Sequence, residues 1–202
     1  MASDSIQSST DDDVMRDLRR EADATPPLAH GEEASLLERS ARGDRSSQTR
    51  LVAAKLGMVI RLAEERREQG LPVPDLVQEG SLGLVEAMRS FDMNGGAPFD
   101  AFAEQKVIEQ MDSALAAEAA AVREGEQLVA AANDYERTEI LLQRSLRRAP
   151  TEVEIAQKLE WTVERTRYIA EVVADARRRH DEELLAFIDP ESVDIEETVD
   201  GE

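Results

Sequence analysis

Carboxylates are the most abundant reactive groups in this chain, with 44 Asp and Glu against 24 Lys and Arg in 202 residues. Paired carboxylates run general acid–base chemistry when their surroundings separate their pKa values. Here they fall on highly charged helical stretches, where a solvated surface outweighs catalysis. The absence of cysteine removes disulfides, thiolate nucleophiles, thiolate zinc sites and iron–sulfur clusters together. His30 and His180 lie far apart and make no metal motif. Asn94-Gly95-Gly96 lacks the Lys-Ser/Thr that completes a phosphate loop. The run Arg177-Arg178-Arg179-His180 suits phosphate contact, or equally a helix C-terminus, where each cation is worth about 0.3–1 kcal/mol. Arg165 and Arg167 stand early in the second helix of a helix–turn–helix rhythm, where DNA reading needs donors, but Glu160 and Glu164 oppose them. No enzyme, metal or cofactor site is expected.

Helices must position whatever chemistry remains. Aromatic residues make up 3% and apolar residues 41%, a balance that favours an Ala/Leu/Glu/Arg helical protein over a β-sandwich. A short helix is expected over Glu32–Arg42 with Gly43 stopping it. A second runs from Ser47 to Gln69, with Val52, Leu56, Val59, Ile60 and Ala63 as its apolar stripe. Leu71-Pro72-Val73-Pro74 interrupts. Asp75 restarts a helix, with Gln78 at capping-box spacing and an apolar face of Leu76, Leu82, Val85 and Met88. Gly80 and Gly83 each cost roughly 1 kcal/mol inside it, which implies close packing against a neighbour. After the Asn94-Gly95-Gly96 turn, helices are expected over Asp100–Ala121 and Glu126–Arg147. Thr151 and Glu154 form a capping box, a turn falls at Glu160-Trp161, and Thr162 caps the last helix.

Net charge is −20, and its distribution is uneven. Residues 182–202 carry nine carboxylates and no cation, whereas residues 123–181 are near balance. Such a field disfavours unaided binding to duplex DNA. Residues 1–29, rich in Ser and Asp, read as a disordered acidic tail. The expected division is this tail, a helical domain over 30–122, a second over 123–181, and an acidic linker or tail over 182–202. No apolar run approaches the roughly 20 residues of a membrane helix, and the polar N-terminus is not a signal peptide, so the cytoplasm is the expected location.

The stretch GLPVPDLVQEGSLGLVEAMRSFD resembles the core-binding segment of bacterial RNA polymerase sigma factors of the sigma-70 family. Gly70, Leu71, Asp75, Leu76, Val77, Gln78, Glu79, Gly80, Gly83, Leu84 and Phe91 carry the likeness. LAHGEEASLLERSARGD is similar to the family's preceding segment. LLQRSLRRAPTEVEIAQKLEWTVERTRYIAEV is similar to its third region, and ELLAFIDP to the acidic linker that follows. The resemblance implies an all-α protein: a core-binding region 2 bundle, then a small three-helix region 3 domain with helix–turn–helix character. It further implies that Asp75, Leu76, Gln78 and Glu79 bind the clamp helices of the largest polymerase subunit.

Departures from the family pattern concern DNA. The chain ends at Glu202, before the family's minus-35-reading domain, which is therefore expected to be absent. Where the family has Phe-Ser-Thr-Tyr-Ala-Thr-Trp-Trp-Ile-Arg-Gln in its minus-ten helix, this chain has residues 99–109, FDAFAEQKVIE. Phe102 keeps an aromatic where the family stacks a flipped base, or equally serves as a core aromatic, while Gln105 and the cation Lys106 stand where the family has its two tryptophans, and Ile108-Glu109 where it has Arg-Gln. Gln127 and Ala130 replace a His and a Glu near the extended minus-ten element. Each base–aromatic stack is worth about 1–3 kcal/mol, so two lost positions remove several. Phe102, Lys106, Arg165 and Arg167 are the candidate DNA contacts, made only within a polymerase complex. Two functions remain open: a sigma-like transcription initiation protein with eroded minus-ten readout, or a sigma mimic that occupies an anti-sigma factor.

Overall fold

A computed structural model describes residues 2–92, 95, 96 and 98–187, and they form seven α-helices with no strand among them. The helices are α1 (Ala2–Ala24), α2 (Glu32–Ala41), α3 (Arg45–Glu64), α4 (Val73–Ser90), α5 (Phe99–Leu146), α6 (Glu152–Leu159) and α7 (Val163–Phe187). The chain divides into two compact units, Met1–Val122 and Arg123–Glu202. No described helix is long and apolar enough to cross a membrane.

The first unit is built on α3 and α4. Leu51, Val59, Leu62 and Ala63 of α3 meet Leu76, Leu84 and Ala87 of α4 and Ala103, Val107 and Met111 of α5 in one almost solvent-free core. Full burial of each large aliphatic side chain contributes about 1.5–3 kcal/mol. Gly80 and Gly83 are where α4 meets the other helices. A Cβ on Gly83 would stand 2.7 Å from the Lys106 carbonyl oxygen and 3.0 Å from the Val107 Cα. A Cβ on Gly80 would meet the Val59 Cγ1 at 2.8 Å. The expected close packing at these two glycines is what the structure shows.

The expected disorder of residues 1–29 is corrected. Residues 2–24 are helical, and Met15 is buried with Leu18 and Ala22 packed beside it against the first core. Positions 15, 18 and 22 make one narrow stripe at helical spacing. The acidic groups occupy the other faces, partly neutralised by Asp13–Arg16 at 2.6 Å and Asp17–Arg20 at 3.0 Å. Arg19 pairs with Glu64 of α3, and Arg50 donates to the Pro26 carbonyl at 3.0 Å, which fastens the connector too.

Other boundaries move. α3 stops at Glu64, and the chain turns through Glu68 and Gly70, both at positive φ. α4 begins at Val73 with Pro74 in its first turn, so the Asp75–Gln78 capping box is not formed; Pro72 is the N-cap without a side-chain bond. α5 runs unbroken through Gly125, where two helices were expected. An exposed Ala-rich run offers no competing conformation strong enough to exploit the roughly 1 kcal/mol cost of one glycine. α7 continues to Phe187, so residues 182–187 belong to a helix and not to a linker. Arg177 and its neighbours are therefore interior to α7 rather than at its C-terminus. Asn94 of the expected turn, its neighbours Met93 and Ala97, and residues 188–202 of the expected acidic tail lie outside the described residues.

The second unit joins the C-terminal part of α5 to α6 and α7 around Ala131, Tyr135, Ile155, Ile169 and Val173. Thr151 accepts from the Glu154 amide at 3.3 Å, while the Glu154 carboxylate accepts from the Thr151 amide at 2.8 Å, the reciprocal box that starts α6. Glu160 in the left-handed region closes α6, and Thr162 accepts from the Arg165 amide at 3.2 Å to open α7.

Candidate functional site

The core side of α4 is fixed by Leu76, Val77, Gly80, Gly83, Leu84, Ala87 and Met88, all buried. Its opposite side then carries Asp75, Gln78, Leu82, Glu86 and Arg89, spaced three or four residues apart and all exposed. Leu82 stands out: 59% of it is exposed in the middle of this charged row. An apolar side chain ringed by Asp75, Gln78 and Glu86 has the composition of a binding surface, with an apolar anchor and polar rim.

Two expectations for this helix change. Leu76 is fully buried in the core, so its side chain cannot touch a partner. Its role is to hold α4 in place. Glu79 is half-buried, and its carboxylate accepts from Gln110 Nε2 of α5 at 2.8 Å. Leu82, expected on the apolar face, is the residue that reading missed. At 100° per residue it lies about 240° round from Leu76, on the side of Asp75 and Gln78, so the signal was present in the spacing.

The start of α5 builds an aromatic corner. Phe99 is buried and meets Phe91 edge-on at 5.1 Å, and Phe91 tilts against Phe102 at 5.5 Å. Phe102 is half-buried, so one part of its ring packs inward while another reaches solvent. Lys106 is paired to Glu109 at 2.7 Å, and Gln105 donates to the same carboxylate at 2.9 Å. These bonds, Lys106 first, hold the Glu109 carboxyl below its usual pKa. The polar side chains at the expected reading positions are thus engaged with one another. Around them Asp100 pairs with Lys55, Glu104 with Arg61 at 2.9 Å, and Asp112 with Arg66 at 2.8 Å.

In the second unit Arg165 is exposed and its guanidinium lies 4.5 Å from the Trp161 ring centroid. Arg167 is exposed but paired with Glu152 at 3.2 Å. Arg177 is held by Glu136 at 3.1 Å and Glu139 at 2.9 Å. Gln127 and Ala130 are exposed on α5. Among the described residues no group of three or more His, Asp or Glu is placed to hold a metal.

The structure is thus an all-helical bundle in which one helix, α4, is buried on one side and carries a mixed apolar–polar row on the other. Residues 51–116, which hold this helix and the aromatic corner, match the family model described as Sigma-70 region 2. The chain is 35% identical over 127 residues to RNA polymerase sigma factor SigA of Synechocystis sp., covering 63% of this chain and 30% of that protein. It is 31% identical over 163 residues to the SigA of a Bacillus species, and 31% over 164 residues to that of Clostridium acetobutylicum, in each case covering 81% of this chain and 43% of the relative. The chain spans less than half the length of these relatives. It belongs to the sigma-70 family of RNA polymerase sigma factors.

Proposed function

We propose that this protein binds core RNA polymerase through the exposed row of α4, with Asp75, Gln78 and Leu82 at the contact, and takes part in transcription initiation in the cytoplasm without enzymatic activity of its own. The observation that carries this reading is the exposure of Leu82 between Asp75, Gln78 and Glu86, on a helix whose other side is fully packed. The clamp helices of the largest polymerase subunit are the proposed partner, and the Asp75 and Glu86 carboxylates beside Leu82 suit a basic surface. Glu79 contributes by orienting α5 through Gln110 rather than by direct contact. Promoter DNA is met only within the polymerase complex, with Phe102 stacking on an unpaired base and Lys106, Arg165 and Arg167 as outlying cations. The net charge of −20 supports this order of events, because the free protein repels duplex DNA.

A second reading, a mimic that occupies an anti-sigma factor, is favoured by one observation: Gln105 and Lys106 spend their polar atoms on Glu109. Immobilised protein challenged separately with purified core polymerase and with an anti-sigma factor tests the two. The first reading expects retention of core, lost in an Asp75→Lys/Gln78→Lys variant. Retention of the anti-sigma factor alone would replace it with the second.

A further inference from the structure

Lys55 lies in the middle of α3 with only 13% of its side chain exposed. Its ammonium pairs with Glu33 in the first turn of α2 at 2.6 Å and with Asp100 in the first turn of α5. One side chain therefore ties the N-terminal turns of two helices to the centre of a third. Both carboxylates also stand where the helix dipole favours negative charge. Burial opposes the charge on Lys55, but the hydrogen bonds to Asp100 and Glu33 outweigh it and hold the amine protonated beyond its usual range. An ammonium so committed is poorly available to a phosphate.

What Lys55 does reach is the aromatic corner. Its nitrogen stands 6.0 Å from the Phe99 ring centroid, Phe99 meets Phe91 edge-on, and Phe91 leans on Phe102. Contacts thus run unbroken from Glu33 through Lys55, Phe99 and Phe91 to Phe102. The Phe102 amide donates to the Pro98 carbonyl at 3.4 Å, and the ion pair at Asp100 and the buried Phe99 ring add side-chain anchors to the same turn.

We propose that Lys55 is a positioning residue for capture of an unpaired base: it locks the first turn of α5 so that the solvent-facing part of Phe102 is presented at a fixed angle. The proposal rests on the reading that Phe102 stacks on such a base. Stacking requires the ring to be held at the right place and orientation for the base, so a loosened turn lowers affinity without removing the ring.

The test uses the full chain bound to core polymerase, with single-stranded minus-ten probes, intact or carrying an abasic site at each position in turn. Lys55→Met is expected to leave core affinity within about twofold, because the α4 row is untouched, and to weaken intact-probe binding about tenfold, within the range of one lost base stack. It should also erase most of the difference between the intact probe and the abasic probe that binds worst. Lys55→Arg should restore most of the affinity, since a guanidinium can still span both carboxylates. The double variant Lys55→Met/Phe102→Ala should bind no more weakly than Phe102→Ala alone, because both act at one contact. Asp100→Asn, which leaves Lys55 paired to Glu33, should reproduce part of the loss and serves if Lys55→Met fails to fold by circular dichroism. If Phe102→Ala has no effect, or the wild-type complex binds no probe, the stacking reading falls and the inference with it. If Phe102→Ala weakens binding while Lys55→Met, or Asp100→Asn in its place, does not, or if the double variant loses the sum of both effects, the positioning role is overturned.

Discussion

Glu79 illustrates how one residue's role depends on a neighbour far along the chain. Gln110 lies 31 positions away and donates to it, so Glu79 faces α5 as much as solvent. Glu79→Lys is expected to destabilise the first unit by about 1 kcal/mol through loss of that bond, whereas Gln78→Lys should change stability by less than about 0.5 kcal/mol, as exposed substitutions do. Urea melts of the two variants check the contrast. Glu154 supplies a pH-dependent case. The hydrogen bonds from Arg148, then the Thr151 amide, lower its pKa from 4.5 to about 2. A carboxyl depressed on folding stabilises fully above its unfolded pKa and loses that contribution as pH falls through its folded one. The second unit should therefore lose stability between about pH 5 and 2, and Glu154→Gln should flatten this part of the profile. Thermal melts across that range read the difference; identical slopes would contradict the assignment. The capping box itself was legible, since Thr151 and Glu154 interact at fixed local spacing. The Glu79–Gln110 bond was not, because no local pattern announces which long-range partner a surface carboxylate finds.

Among the elements, two glycines in helices make opposite demands. Gly83 faces the backbone of α5, with the Lys106 carbonyl 2.7 Å from where a Cβ would stand. Gly125 has nothing within 4 Å of that point. Gly83→Ala should therefore destabilise by about 1–3 kcal/mol, since backbone atoms cannot swing aside, despite the gain in helix propensity. Gly125→Ala should stabilise by about 0.5–1 kcal/mol. Chemical denaturation with circular dichroism separates the signs, and a stabilising Gly83→Ala would contradict the close crossing of α4 and α5. The need for glycine at 80 and 83 was readable because two unfavourable residues at helical spacing demand a compensating contact. The continuity of α5 through Gly125 was not, because a single exposed glycine looks the same at a break and inside a helix. α1 escaped for another reason. Composition averages over all faces of a helix, and its stripe of Met15, Leu18 and Ala22 is three residues wide in a strongly acidic segment.

For the whole molecule, the proposed function ties the order of encounters to net charge. A chain of net charge −20 is expected to show no specific shift of promoter duplex when free at about 150 mM salt, and to contact single-stranded minus-ten DNA only with core present. An electrophoretic shift by the protein alone, at the 10⁻⁸–10⁻¹¹ M typical of specific binding, would contradict this. The all-helical class and the α4 segment were evident in the sequence because helical periodicity and the Asp-Leu-Val-Gln-Glu-Gly run are local. Which side of α4 is free, and which polar groups of α5 are already engaged, depend on three-dimensional packing. The exposed row of α4 is the proposed contact with core RNA polymerase. Titration of labelled protein into purified core at about 150 mM salt tests it most directly, with wild type beside Leu82→Asp and Asp75→Lys/Gln78→Lys. Saturable binding by wild type is expected, with a loss of roughly 2–5 kcal/mol in the charge-reversed variant and unchanged helicity. Absence of wild-type binding, or equal affinity in all three proteins, would contradict it.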